Sequence, residues 1–557
     1  MNTKREGKNF LSTPVDRRSF LGMMAMGAAA IGVPSLLASC SSGGNTTDPT
    51  STTSATPSGP ATSDVKVLPT YKPISYVEPD FPSVNDTLPG FSKAPELVKA
   101  FDSPPGNGAT ITAVVPTWAA IPEKNNDLFK AVGERLGNTL DLNIVSGNDI
   151  WDITQTRLAD PNTLPDWFAT PTWAVGDPKF GTETAPAIFQ DLTPYLSGDA
   201  VLEYPHLANI PTGSWRISSW GDKIYAIPMP GKAIDQVLFY RKDLLDEKGI
   251  TVAPQNSDDL LALFKEINDP ASGKYATCDP WTALTSIYKL LPKWGIVDGQ
   301  MVHRYETEEY YQALEFVAQL YKENLVYPDD SQWARQVFVN GEAYFVPDGL
   351  GGWHETLGMA LGANEDFVMD ATRPFAFDGS NPVYYKGSPA EFYSFIKKTD
   401  DEEKIKAILT TANFLASPFG TEEYDLIYNG IEGVHYERGA DGAPQATEKG
   451  SAEVVPSLMF LASPPQVTNQ IQYPGFVEAY SAFSKEAGEY VVEGTFYGMN
   501  INEPENLRDI ETGITDIETD VRRGRASVDD LKGRIEKWKT DGGNELRDFY
   551  SKIAESL

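Results

Sequence analysis

The chain has 557 residues, with 46 Lys and Arg against 78 Asp and Glu, for a net charge of −32. A surface of that sign repels nucleic acid and anionic lipid and excludes both as partners. With 41% hydrophobic and 11% aromatic residues, the composition is not that of a disordered chain, and the length suits two or three domains or two lobes.

The first forty residues form three zones. Lys4, Arg5, Lys8, Arg17 and Arg18 outweigh Glu6 and Asp16; residues 20–38 carry no charge; Leu37-Ala38-Ser39-Cys40 follows. That order, basic then apolar then small residues, is a signal peptide over residues 1–39. Arg17-Arg18-Ser19-Phe20-Leu21 resembles the twin-arginine export motif. Leu37 to Cys40 resembles a lipobox, in which the cysteine thiol is lipidated and becomes the new N-terminus. An uncleaved anchor is the rival reading, since the apolar run is about long enough to span a bilayer. It is rich in Gly, Ala and Met, holds Pro34, and ends at a cysteine instead of a charged stop. The expectation is therefore a lipid on Cys40 and a protein on the outer face of a membrane, at a Gram-positive surface or in a periplasm. Two acyl chains suffice for stable anchoring. After lipidation Cys278 is the remaining cysteine, so no internal disulfide is expected.

Residues 41–63 are nearly all Ser, Thr, Gly, Pro, Asn and Ala, the composition of a flexible tether. Residues 64–107 are punctuated by proline and read as extended, closing on Pro104-Pro105-Gly106. A β-branched run at 110–115, a helical pattern at 127–136 and a second strand at 140–145 predict a parallel βαβ start. Residues 258–267 carry Leu260, Leu261, Leu263, Phe264 and Ile267 on a helical face, with Ser257 as N-cap. Residues 309–321 and 402–416 repeat the three-to-four spacing. Ser527 and Asp530 form a capping box, followed by Val528, Leu531, Ile535 and Trp538 on one face. A last helix carries Leu546, Phe549, Tyr550 and Ile553. There is no fixed-period repeat. The class is α/β with many helices.

Five stretches carry a resemblance. They are Leu164-Pro165-Asp166-Trp167 with Asp191-Leu192-Thr193-Pro194-Tyr195-Leu196; Gly221-Asp222-Lys223-Ile224-Tyr225-Ala226-Ile227-Pro228; Tyr240-Arg241-Lys242-Asp243-Leu244-Leu245; Gly430-Ile431-Glu432-Gly433-Val434-His435-Tyr436; and Trp538 with Gly542-Gly543. In that order they resemble the family 1 extracellular solute-binding proteins of ABC sugar importers, and most of all the larger alginate-oligosaccharide-binding-like lipoproteins. Ala226 departs from the family's usual glycine. Some alginate-binding relatives hold calcium in an acidic loop; here that region, residues 268–274, offers one carboxylate where calcium wants several oxygens. No metal and no cofactor are carried over.

The resemblance implies a two-lobed, type II (maltose-binding-protein-like) periplasmic-binding fold with hinge crossings and a helical C-terminus. Lobe 1 would take residues 108–229 and 380–460, and lobe 2 residues 230–379 and 461–557. The crossings are expected near 229–236, 376–386 and 456–466. A carbohydrate, by its size an oligosaccharide, would be clamped between the lobes and delivered to ABC permease subunits, the protein acting as a monomer. Ligand contacts on both lobes would favour the closed state.

A pyranose has apolar C–H faces and a rim of hydroxyls, so its cleft asks for Trp and Tyr faces and short polar groups. Trp118 follows the first strand, where open α/β sheets bind ligands. Trp173 follows the strand after Asp166. Trp353, His354 and Glu355 follow the glycine-rich loop of Asp348. Tyr240, Trp281 and Trp333 complete the candidates. Arg241 reads as a structural ion pair, and Glu432 as ordering its own turn. A secreted glycoside hydrolase or lyase remains the main rival, and an adhesive lipoprotein a third reading. Hydrolysis needs two carboxylates at set separation, which sequence cannot give. His206, His303, His354 and His435 show no metal-ligand spacing, and the chain has no His-Glu-x-x-His, no Gly-x-x-x-x-Gly-Lys and no Gly-x-Ser-x-Gly motif.

Overall fold

Two β-sheets organise the chain. The computed structural model describes residues 67–175, 179–329 and 331–557, without the side chains of residues 508 and 509. The arginine pair, Cys40 and the tether at 41–63 lie outside the described residues. The strands are β1 (Thr110–Thr117), β2 (Thr139–Ser146), β3 (Trp167–Pro171), β4 (Ala226–Pro230), β5 (Gln236–Arg241), β6 (Tyr275–Thr277), β7 (Ala343–Gly349), β8 (Met369–Ala371) and β9 (Ala390–Ile396).

The first sheet runs β2-β1-β3-β9-β4. β1 is parallel to β2 and β3, as the strand-helix-strand pattern predicts. β9, arriving from far along the chain, is antiparallel to both β3 and β4. β1 is covered on both faces, which is why it reads as a continuous apolar run: Ile111, Ala113 and Val115 face one core, and Val114 another with Phe168, Phe189 and Phe395. The second sheet runs β8-β5-β7-β6, with β5 antiparallel to both neighbours and β6 parallel to β7. Each sheet has its own hydrophobic core, so the architecture is a two-lobed α/β fold.

Local signals set the helix ends. Helix α1 (Asp127–Leu136) buries Leu128, Val132 and Leu136 at four-residue spacing. Asn126 caps it by accepting from Phe129 N at 2.9 Å, worth about 1 kcal/mol. Gly137 closes it with φ 81, a conformation that glycine reaches without strain. Helix α2 (Ser257–Ile267) corrects the expected cap: Asn256 accepts from Asp259 N at 2.9 Å, and Ser257 is the first helical residue, its hydroxyl donating to Phe377 O. Helices α3 (Glu308–Lys322), α4 (Gly352–Ala360), α5 (Glu402–Leu415) and α6 (Phe476–Gly488) follow. The last three, α7 (Thr512–Arg522), α8 (Val528–Trp538) and α9 (Asn544–Ala554), send Ile514, Val521, Leu531, Trp538 and Ile553 into the second sheet's core. The capping box of Ser527 and Asp530 opens α8 with both of its bonds made. Among the described residues no helix is long and apolar enough to cross a membrane.

Three segments join the lobes. The first crossing lies between Pro230, which ends β4, and Gln236, which starts β5. The second lies between Ala371 of β8 and Ala390 of β9. The third overlaps the end of the expected 456–466 and runs past it. Leu458, Phe460, Leu461 and Ala462 are buried with the first core, whereas Phe476 and Val477 belong to the second sheet's side, so the chain crosses between them. The first two crossings touch backbone to backbone: Gly231 N donates to Pro389 O at 3.0 Å and Gly387 N to Ala233 O at 3.1 Å.

The stretch at 67–107 contains no helix of the α type, in line with its prolines, but it is bonded along its length. Lys72 N donates to Ala208 O of the first lobe. Asn85 Nδ2 donates to Gly488 O at the end of α6. Val98 N then donates to Gly420 O, back on the first lobe's side. It forms a strap across both lobes.

A candidate ligand cleft

A cleft of about 980 Å³ opens beside the crossings, lined by Met229, Lys232, Glu391 and Gln466 among others. Among its lining residues is a polar knot of Lys232 from the first crossing, Gln466 from the third and Glu391 at the start of β9. Lys232 Nζ meets Glu391 Oε1 at 3.0 Å. Gln466 Nε2 donates to Pro230 O at 2.7 Å and reaches Glu391 Oε1 at 3.3 Å. Lys232 and Glu391 neutralise one another, which keeps an uncompensated charge out of a partly buried site.

One aromatic wall comes from the first lobe. Trp118 sits just past the end of β1, is 52% exposed, and lines the cleft. Phe392 and Phe460 stack at 4.1 Å and present their edges to it, at 6.1 and 6.0 Å between centroids. Gly147 leaves the space the indole occupies. A second exposed aromatic comes from the second lobe. Trp333 is 57% exposed and lines the same cleft, with the Arg335 guanidinium 5.0 Å from its ring centroid. Arg335 is held by Asp348 at 2.8 Å and Glu355 at 2.6 Å. His354 also lines the cleft; burial lowers its pKa from 6.5 to about 4, so the ring is neutral at neutral pH.

The structure therefore brings together Trp118, Trp333, His354 and Glu355, with Asp348 behind them as the partner of Arg335. It places the other candidates elsewhere. Trp353 is not in a loop: it lies in the first turn of α4, is 1% exposed, and packs against Phe239, Phe476 and Tyr480. A fully buried indole has no face to offer a ligand, so Trp353 is a core residue. Trp173 is 59% exposed but does not line the cleft. Trp281 starts a short helix and packs under Arg522, 5.0 Å from its ring, beside Tyr310. Tyr240 is half-buried in β5, its hydroxyl 3.5 Å from Asp370. Arg241 forms the structural pair expected of it, a fork on Asp243 at 2.9 and 2.7 Å. Glu432 was expected to order its own turn through backbone bonds; its carboxylate instead accepts from Arg438 Nε at 3.0 Å.

Lys232, Arg335, Glu391 and Gln466 were missed. A signal existed for Lys232 and Gln466: both lie in segments expected to be crossings, and a crossing is the floor of any cleft between lobes. Among the described residues there is no group of three or more His, Cys, Asp or Glu placed to hold a metal ion. In the 268–274 region Asp269 is turned onto Lys274 by reciprocal backbone bonds.

Comparison with known proteins places the chain in a family and supports the fold. The family model described as bacterial extracellular solute-binding protein matches residues 96–421. Lipoprotein LipO of Bacillus subtilis (strain 168) is 24% identical over 403 residues, 66% of this chain and 77% of that protein. The alginate-binding protein AlgQ2, solved without calcium ion, superposes with a TM-score of 0.58 at 16% identity, covering 82% of this chain and 100% of its own. The N-glycan transport solute-binding protein NgtS from Streptococcus pneumoniae gives 0.57 at 15% identity, covering 80% and 99%. At such identities the solved structures speak for the fold.

Proposed function

We propose, from the premise that the chain belongs to the bacterial extracellular solute-binding protein family, that it captures a carbohydrate in this cleft and delivers it to an ABC permease. The observation that carries the reading is the pair Trp118 and Trp333, one from each lobe, both more than half exposed and both lining one cleft. Two indole faces suit the two apolar faces of a pyranose, and the side chains of Arg335, Glu355 and Gln466 suit its hydroxyl rim. A volume near 980 Å³ is at the upper end for small-molecule sites, which favours an oligosaccharide over a single sugar. NgtS, named for N-glycan transport, and AlgQ2, named for alginate binding, support the ligand class by analogy of fold.

The lobes enter this proposal as 108–229 with 380–460 and 230–379 with 461–557, the last boundary moved past Ala462, which is buried with the first core. Ligand bridging Trp118 and Trp333 would stabilise closure about the crossings, and the closed form is what a permease would recognise. Lipid on Cys40 would hold the protein, as a monomer, on the outer face of the membrane; the relative named a lipoprotein supports that placement. Binding is favoured over hydrolysis because the cleft carboxylates Glu355, Glu391 and Asp425 are each engaged by a cation, Arg335, Lys232 and Arg438.

The test is to incubate the purified mature protein with a panel of neutral and acidic glycans. Tryptophan fluorescence changes and thermal stabilisation without product are expected. Turnover of any glycan would move the protein to the enzymes, and silence across the panel would favour an adhesive role.

A further inference from the structure

The strap contributes to the cleft as well as to the scaffold. Leu88, Lys93, Ala94, Pro95 and Leu97 all line it. Strong local order holds this stretch in place. On one side Phe91 N donates to Thr468 O at 2.8 Å and Thr468 N to Pro89 O at 2.9 Å, which ties it to the third crossing. On the other, Val98 N donates to Gly420 O at 3.0 Å and Glu422 N to Val98 O at 2.9 Å, which ties it to the first lobe. Between these ties Ser92 donates twice to Asp80 Oδ2, at 2.9 Å from its amide and 3.0 Å from its hydroxyl. Residues 92–97 are therefore pinned at both ends, with Ser92 fixed to Asp80 next to the first tie, and form a short wall.

A hairpin of Tyr436–Arg438 and Pro444–Ala446 faces that wall. A side chain at Gly442 would meet Ala94 Cβ at 3.0 Å, so strap and hairpin are already in contact. Arg438 and Asp425 line the cleft here, and Asp425, Glu432 and the Tyr436 hydroxyl fix the arginine at 3.0, 3.0 and 2.8 Å. Lys93 differs from Arg438. Its side chain is 82% exposed, and its partner Asp80 stands 3.7 Å away while accepting from Ser92. An ammonium on a flexible stem, at a cleft wall and loosely paired, is free to turn toward a ligand oxygen.

We propose that residues 93–97 of the strap, with Arg438 opposite, form a distal subsite that receives the end of an oligomeric ligand, Lys93 making the polar contact and Leu97 the apolar one. The strap then sets how ligand length is read. This rests on the carbohydrate reading, which places the inner units between Trp118 and Trp333.

The experiment titrates the full mature protein with cello-, xylo- and galacturonic-acid ladders, disaccharide to hexasaccharide, and compares wild type with Lys93→Ala and Leu97→Trp. In the ladder that wild type binds, the long members should weaken about tenfold or more in both variants. The disaccharide should stay within about twofold, with unchanged melting. Variants that bind every length as wild type does overturn the subsite, as does an equal loss at every length. Lys93→Ala touches no core and decides alone if Leu97→Trp does not fold. Wild-type protein that binds no ladder removes the carbohydrate reading and the subsite with it, whereas intact wild-type binding with unaffected variants removes the subsite alone.

Discussion

Gly231→Ala is expected to cost far more than a glycine change at a turn, because of where the first two crossings touch. A Cβ built on Gly231 overlaps the Ser388 carbonyl oxygen and lies 3.0 Å from Ser388 C and 3.1 Å from Pro389 C. Those are backbone atoms, so no side chain can swing away; the two crossings must separate. Separation lengthens the Gly231 N to Pro389 O bond, now 3.0 Å, and pulls Lys232 from Glu391 on the adjoining residues. Overpacking of this kind costs about 1–3 kcal/mol. Weakening a half-buried backbone bond adds about 1 kcal/mol, for a total of about 2–4 kcal/mol. Gly221→Ala is the control. Gly221 has φ 61 and nothing within 4 Å of a built Cβ, so alanine there meets only the left-handed penalty of about 1–2 kcal/mol. Urea unfolding followed by circular dichroism and tryptophan fluorescence measures both. If Gly231→Ala is no more destabilising than Gly221→Ala, the crossings are not in the contact described and the account of the hinge fails.

Trp118→Ala and Trp333→Ala should each weaken glycan binding, by about 1–3 kcal/mol for a lost stacking face, while melting stays nearly unchanged because both indoles are more than half exposed. Unchanged affinity in both variants, read by fluorescence titration, would remove them from the cleft. Trp353→Ala should do the reverse, losing about 3–5 kcal/mol of stability from a buried cavity; a melting curve like the wild type's would contradict its core placement. His354 has its pKa lowered by burial, so the unfolded chain takes up a proton first as pH falls. Its contribution is complete above about pH 6.5, declines below it, and amounts to as much as about 3 kcal/mol lost by pH 4. His354→Gln should flatten the stability profile in that window, and an identical slope would refute the assignment. Burial pushes the Cys278 thiol up to about 12, so maleimide at neutral pH should label it only after unfolding in urea. Prompt labelling of native protein would contradict the burial.

Much of the scaffold was legible in the chain because its signals are local. The spacing of Leu128, Val132 and Leu136 and the glycine after them set α1 to the residue, and Ser527 with Asp530 set the start of α8. Periods, caps and turn residues act within a few positions, so they survive being read one segment at a time. The start of the third crossing was not legible, because Leu458 and Phe460 are buried in a core shared with β1, more than three hundred residues away in sequence.

The cleft itself was decided by tertiary structure. Trp118 and Trp353 both follow a strand and look alike in sequence. One ends up edge-packed at a cleft and the other under Phe476 and Tyr480, because a helix from far along the chain covers it. Trp333 lines the same cleft as Trp118 although more than two hundred residues separate them, and Arg335 beside it is placed by Asp348 and Glu355. The strap shows the same limit. Its prolines announce an extended stretch, but only its bonds to Thr468 and Gly420 make it a wall. Amphipathic period and capping are properties of a segment, whereas a binding surface is a property of segments brought together, and the hydrophobic cores that bring them together are indifferent to sequence distance.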